Sequence, residues 1–155
     1  MKDLVKTQLI NRKRTLSRLF AVQCLYQYEF FDRKSDILMI KEELIENYAL
    51  FDDEQAKSYR GKIDEVFVDD LIKKTANSLD EIDEDIIKYR NNDNLDLVTA
   101  QILRVGGAEL KFTTDTDFKI IINEYCDIAG YFYEDPKVSF VSSILNKLAI
   151  EYKRT

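Results

Sequence analysis

The near absence of glycine and proline is the feature of this sequence that most limits its fold. Four glycines and one proline stand among 155 residues, so the chain carries few of the residues that make tight turns. Sandwiches and barrels of many strands need such turns about every 8–12 residues. The sequence therefore disfavours those folds and favours long helices, and its length fits one domain of ordinary size.

Apolar residues recur at helical spacing in successive segments of the chain. Residues 12–31 predict a helix that is basic in its first turns and apolar nearly all round in its second half. One side of that helix carries Leu16, Leu19, Phe20, Tyr26 and Phe30, and the opposite side carries Arg14, Arg18, Ala21 and Leu25. Further helices are predicted from Ser35 or Asp36 to about Tyr48, over 63–90 as one helix or two divided near Asn77–Ser78, from Asp96 to near Phe112, from Asp117 to a break at Pro136, and through the stripe from Phe140 to Tyr152. Six or seven helices with short loops predict an all-α bundle in a single domain, 1–155, with residues 1–11 as a flexible basic tail.

Two adjacent glycines, Gly106 and Gly107, fall inside one of the predicted helices. Each costs about 1 kcal/mol relative to alanine in a helix interior. A close approach of another helix at this point would justify that cost, and the sequence predicts such an approach.

The net charge of −6 is unevenly distributed. Residues 1–18 hold six basic residues against Asp3 alone, whereas residues 19–96 hold ten basic and twenty acidic residues. An acidic chain repels polyanions in general, but a concentrated basic end can contact phosphates locally. A merely solubilising basic end is the equally weighted alternative.

The residue types that are missing exclude much of enzyme chemistry. The chain has no histidine, which removes Ser-His-Asp and Cys-His catalysis and every histidine-ligated metal site. Neither Walker A nor GxGxxG occurs, and the two cysteines, Cys24 and Cys126, form no CxxC and are expected to be buried, inert thiols. The sequence indicates a binding protein without catalytic residues, metal or cofactor. With no apolar run of signal-peptide or membrane-spanning length, it is expected in the reducing cytoplasm and away from membranes.

Three segments, in order along the chain, resemble the NusB family of transcription antitermination factors. They are residues 18–27 (RLFAVQCLYQ), residues 102–110 (ILRVGGAEL), and residues 122–129 (INEYCDIA) followed by 140–147 (FVSSILNK). The resemblance covers nearly the whole chain and implies a compact all-helical fold of two three-helix subbundles.

The resemblance also implies partners and functional residues. A member of this family is expected to pair with NusE, a ribosomal small-subunit protein, to bind boxA RNA of nascent ribosomal-RNA transcripts, and through them to act on the RNA polymerase elongation complex as a monomer or homodimer. The RNA-binding residues carried over by the resemblance are Arg12, Lys13, Arg14, Arg18, Lys137, Ser139 and Phe140. The partner-facing positions are Tyr26 and Thr99, the latter standing where some relatives carry a glutamate. Arg104 is either an RNA contact or a structural arginine paired with Glu109 or another carboxylate.

Some positions depart from the family pattern. Tyr133 stands where glycine is usual, and Ser142-Ser143 replaces Asn-Gly. The acidic stretch 80–96 is a candidate surface for a basic ribosomal protein. Two other functions remain open on the sequence: a helical interaction module that does not touch RNA, and an accessory domain for ribosomal-RNA modification.

Overall fold

A computed structural model describes residues 12–47, 59–91 and 94–154. Within these residues the chain forms seven helices and no strand. They are α1 (Lys13–Phe30), α2 (Ile37–Asn47), α3 (Glu65–Asn77), α4 (Leu79–Tyr89), α5 (Leu97–Phe112), α6 (Phe118–Phe132) and α7 (Asp135–Glu151). The all-α prediction is confirmed, while the predicted tail, residues 1–11, lies outside the described residues.

Aspartates fix the starts of four helices. The side chains of Asp64, Asp96 and Asp117 accept hydrogen bonds from backbone N–H groups in the first turns of α3, α5 and α6. Asp36 accepts in the same way from Leu38 N, 2.8 Å away, at the start of α2. These bonds satisfy N–H groups that have no partner within the helix. The division near Asn77–Ser78 is real, since α3 ends at Asn77 and α4 begins at Leu79.

α1 and α5 form the centre of the bundle. α1 packs against α2 and α3, and these two pack against each other; α5 packs against α4, α6 and α7 in a second group. α5 also contacts both α1 and α3, which joins the groups. This arrangement is compatible with the expected pair of subbundles, and it buries α1 on every side from Thr15 to Val22.

The glycine pair in α5 lies where neighbouring helices approach closely, as predicted. A Cβ atom added to Gly106 would lie 3.1 Å from Cδ2 of Leu145 on α7 and 3.1 Å from Cγ of Tyr125 on α6. At Gly107 the nearest atom would be Cδ1 of Leu148, at 3.3 Å. The absence of two side chains therefore brings α6 and α7 against the α5 backbone.

Two details of the predicted helices are wrong. The second half of α1 is its more exposed part, and Phe30, assigned to the apolar side, is 63% exposed. α6 ends at Phe132, and Pro136 stands in the first turn of α7, where its missing N–H costs nothing. Among the described residues, no helix combines the length and the apolar character needed to cross a bilayer.

Candidate nucleic-acid interface

Three consecutive cations lie at the N-terminal end of α1. Arg12, Lys13 and Arg14 are all exposed, and the first two turns of the helix contain no acidic residue. Backbone N–H groups without a helical partner also point out of this end, and they add positive potential. The first turn of α1 therefore presents a compact positive surface.

Each arginine of this surface is held by a carboxylate of another helix or its cap. Arg12 Nη2 lies 3.0 Å from Asp127 Oδ2 on α6, and both side chains are 46% exposed. Arg14 Nη2 lies 3.3 Å from Asp64 Oδ2, at the start of α3. Exposed pairs of this kind contribute about 0–1 kcal/mol, so a phosphate can displace the carboxylate at little cost. Lys13 forms no ion pair with any residue that the structure describes.

The Arg14 guanidinium also lies over an aromatic ring. Its central carbon is 4.2 Å from the ring centroid of Phe67 in α3. This contact orients the planar group while the side chain stays 55% exposed. Phe67 stands at helical spacing in α3, and that spacing alone does not indicate which neighbour its ring will contact.

Arg18 does not belong to this surface, and its assignment as an RNA contact is corrected. Its side chain is 3% exposed and forms two hydrogen bonds to Glu109 on α5, from Nε at 2.8 Å and from Nη2 at 2.7 Å. Tyr125 donates a third hydrogen bond to Glu109 at 2.7 Å, and Arg18 Nη1 lies 3.9 Å from Glu124. The residue that aligned with the basic strip therefore turns inward and joins α1, α5 and α6.

The pKa values in this buried group follow from the same contacts. Burial by itself lowers the pKa of the Arg18 guanidinium, but the hydrogen bond and charge of Glu109 raise it above its ordinary value. Burial and the neighbouring Glu109 carboxylate together raise the pKa of Tyr125. Arg18 is thus a permanently charged ion-pair partner and Tyr125 a neutral hydrogen-bond donor.

The second predicted set of RNA contacts lies at the start of α7. Ser139 is exposed, while Lys137 and Phe140 are partly exposed. Lys137 Nζ is 3.3 Å from Asp96 Oδ1 at the start of α5, and it also lies over the Phe140 ring, 5.7 Å from the centroid. A cation and an aromatic ring therefore share this surface.

α6 connects the two cation sets. Asp127, which holds Arg12, lies five residues before the end of the helix at Phe132. At about 1.5 Å per residue the two are separated by roughly 8 Å along the helix axis, and α7 begins shortly after. Along the axis of α6, the two cation sets therefore lie close together.

Asp96 fixes the geometry of the second set. It accepts hydrogen bonds from the N–H and hydroxyl of Thr99, from the Tyr133 hydroxyl and from Lys137. Burial alone would raise the pKa of Asp96, but these hydrogen bonds lower it to about 2. The carboxylate is therefore ionised at neutral pH and holds Lys137 near the aromatic rings.

The positions expected to face a protein partner have different surroundings. Tyr26 is 37% exposed, and Phe30 and Phe31 beyond it form an exposed aromatic pair with ring centroids 5.6 Å apart. Thr99, in contrast, is fully buried and donates to Asp96, so its assignment to a partner surface is corrected. Its side chain is occupied by the cap of α5.

The remaining sequence assignments are resolved by the contacts. Arg104 is a structural arginine with two hydrogen bonds to Asp83, at 2.7 and 2.9 Å, and lies 3.7 Å from Glu29 rather than pairing with Glu109. Cys24 is buried, as expected, and burial raises the pKa of its thiol. Cys126 is only partly buried.

The fold and this site define a class: a helical-bundle protein that presents exposed cations where its central helix begins. The NusB family model matches residues 15–149, so the chain belongs to the NusB family. Similar proteins named transcription antitermination protein NusB include those of Rickettsia typhi (30% identity; 95% of this chain and 97% of the relative covered), Rickettsia bellii strain OSU 85-389 (33%; 92% and 93%) and Caulobacter vibrioides (31%; 88% and 91%). A solved structure of T. maritima NusB superposes with a TM-score of 0.70 at 29% identity, covering 90% of this chain and 92% of that one.

Proposed function

We propose that this protein is a transcription antitermination factor that binds boxA-type RNA of nascent transcripts and pairs with the ribosomal protein NusE. Its curated relatives carry the name transcription antitermination protein NusB. The observation that carries the RNA-binding part is the exposed surface formed by Arg12, Lys13 and Arg14. Arg12 and Arg14 are held only by weak ion pairs, and Lys13 forms no ion pair with a described residue. Lys137, Ser139 and Phe140, at the start of α7, form the second part of the proposed site.

The charge of the whole chain supports a specific interaction over a general one. With a net charge of −6, most of the surface repels RNA. A strand is then retained only where it meets the cations of α1 and α7 together, and the exposed face of the Arg14 guanidinium, opposite Phe67, offers a surface on which an unpaired base can stack. We expect weak binding by the acidic protein alone and tighter binding by its pair with NusE.

The double variant Lys13→Ala/Arg14→Ala tests the RNA site. We expect weaker binding of labelled boxA RNA, and a plot of log affinity against log salt that is flatter by about 1.4, since each lost phosphate contact on a single strand removes about 0.7 from the slope. Fluorescence anisotropy over a salt series measures both quantities.

Lys34→Ala is the matched control. Lys34 is exposed and follows the far end of α1, whose 18 residues extend about 27 Å. Its loss should leave the slope unchanged. If the double variant keeps the slope of the unmodified protein, RNA does not bind at the start of α1. Readthrough of a terminator in a reconstituted transcription reaction, with boxA present or deleted from the template, tests antitermination itself.

A further inference from the structure

The loop between α6 and α7 carries an aromatic ring that the proposed RNA contacts leave out. Tyr133 is the first residue after α6, and its ring is partly exposed. Lys137 Nζ lies over this ring, 5.4 Å from its centroid, and also over the ring of Phe140, 5.7 Å from that centroid. One ammonium group thus covers the faces of two rings on the surface described above.

The Tyr133 ring is fixed at both ends. Its backbone N–H donates to Ala129 O at 2.8 Å, and its hydroxyl donates to Asp96. Asp96 is itself held by the N–H and the hydroxyl of Thr99, in the first turn of α5. A ring whose orientation is already set loses little conformational entropy when a ligand packs on its face.

The group that covers the ring is only weakly held. Lys137 is paired with Asp96 at 3.3 Å, with side chains 33% and 44% exposed, and such a pair contributes little. A cation over an exposed ring contributes about 0.5–1 kcal/mol. A phosphate arriving at Lys137 can therefore draw the ammonium away from the ring and leave its face open, while Asp96 keeps its bonds to Tyr133 and Thr99.

We infer that the Tyr133 ring is a stacking platform for one unpaired base of the bound RNA, with Lys137 contacting an adjacent phosphate. A fixed ring, a second ring at Phe140 and a weakly paired lysine over both rings together fit a single-stranded nucleic acid, whose bases offer flat faces and whose backbone offers charge. A shallow cavity of about 290 Å³, lined by Asn94, Pro136, Lys137 and Phe140, borders the Phe140 ring and the lysine that covers both rings. This inference rests on the proposed RNA-binding function and assigns a specific residue to it.

The test compares Tyr133→Leu with Tyr133→Phe in the full-length protein, in the presence of NusE. Loss of the ring should weaken binding of single-stranded boxA RNA at least about fivefold, since stacking on one aromatic side chain contributes on this scale. Tyr133→Phe keeps the ring and loses only its bond to Asp96, so its affinity should stay within about threefold. Because Tyr133 contacts no phosphate, both variants should keep the salt slope, whereas Lys137→Ala should flatten it by about 0.7.

Tyr152→Leu is the matched control. Tyr152 is also partly buried, donates to a carboxylate (Asp85, 2.7 Å) and has a lysine over its ring (Lys111, 5.2 Å), but it lies at the opposite end of α7, about 25 Å away. It reproduces the structural loss without the RNA surface. Circular dichroism and urea unfolding of each variant show whether the fold is retained.

A spectroscopic measurement separates stacking from a change in fold. The fluorescent base 2-aminopurine is placed at one RNA position at a time. The unmodified protein should quench its fluorescence at one position. Tyr133→Leu should restore the fluorescence at that position, and Tyr133→Phe should not. The inference is overturned if the unmodified protein binds the RNA but Tyr133→Leu binds as Tyr152→Leu does, or if no position is quenched. If the unmodified protein does not bind boxA RNA at all, the proposed function fails together with it.

Discussion

At the scale of single residues, Arg14 and Arg18 show how little separates a surface cation from a buried one. They lie one helical turn apart on the same strip of α1, yet Arg14 is 55% exposed and Arg18 is 3% exposed. The difference comes from their partners. Asp64 stands at the surface end of α3, whereas Glu109 is a fully buried carboxylate on α5. Because a buried carboxylate needs a cation, Arg18 is drawn inward.

Arg18→Ala should therefore reduce stability far more than Arg14→Ala. Removing one partner of a buried ion pair leaves the other charged group uncompensated and costs about 3–5 kcal/mol, whereas the exposed Arg14 pair contributes about 0–1 kcal/mol. Urea unfolding followed by circular dichroism measures both. A variant Arg18→Met/Glu109→Met should lose less than Arg18→Ala, since it removes both charges. Wild-type stability in Arg18→Ala, together with a flatter salt slope of RNA binding, would instead return Arg18 to the RNA site.

The sequence could place such residues along the helix but could not give their exposure. Arg12, Lys13 and Arg14 were predicted at the start of α1 and are exposed there. Arg18 and Thr99 were assigned to surfaces and are buried, because their partners, Glu109 and Asp96, belong to other parts of the chain. A helical pattern identifies the face of a helix, while burial depends on what packs against that face.

At the scale of elements, the helices were predictable because their signals are local. Aspartate caps, apolar spacing and the scarcity of glycine all act within a few residues, and the predicted starts of α2, α5 and α6 coincide with observed caps. A close approach of an unspecified helix to α5 was anticipated from the glycines alone. The exposure of Phe30 was not, since it depends on where the neighbouring helices end.

The two glycines of α5 should respond differently to alanine. Gly106→Ala would place a Cβ 3.1 Å from the Tyr125 ring, which Tyr125's bond to Glu109 holds in place, and overpacking of this kind costs about 1–3 kcal/mol. At Gly107 the nearest atom is the end of the flexible Leu148 side chain, at 3.3 Å, so the gain in helix propensity of about 1 kcal/mol offsets most of the strain. Urea midpoints of the two variants measure the difference. Equal midpoints would contradict a closer contact at Gly106.

At the scale of the whole molecule, α1 separates two surfaces. Its N-terminal turn carries the cations, and Tyr26, with Phe30 and Phe31, lies toward its other end. Arg14 and Tyr26 are about 18 Å apart along the helix axis. Arg104, Asp83 and Glu29 join α1 to α4 and α5 near the aromatic end, which makes that end a rigid surface. The proposed RNA site and the proposed partner surface can therefore be disabled one at a time.

Tyr26→Asp should abolish pairing with NusE while leaving RNA binding by the isolated protein unchanged. A carboxylate in the centre of an apolar contact loses its hydration when the partner docks, so the interface pays for an unpaired charge. Isothermal titration calorimetry with NusE and RNA anisotropy without it separate the two effects. Met39→Asp, at an exposed position on α2, is the control for adding a charge. Pairing that survives Tyr26→Asp would place the partner surface elsewhere.

The carboxylates that hold Arg12, Arg14 and Lys137 set a minimum length for any strand that binds there. A ligand that reaches only one of these cations replaces one weak ion pair with another and gains almost no binding free energy. Binding becomes favourable overall only for a strand that is long enough to displace Asp127, Asp64 and Asp96 in the same encounter. Free nucleotides and short fragments should therefore compete poorly with a longer transcript for the proposed site.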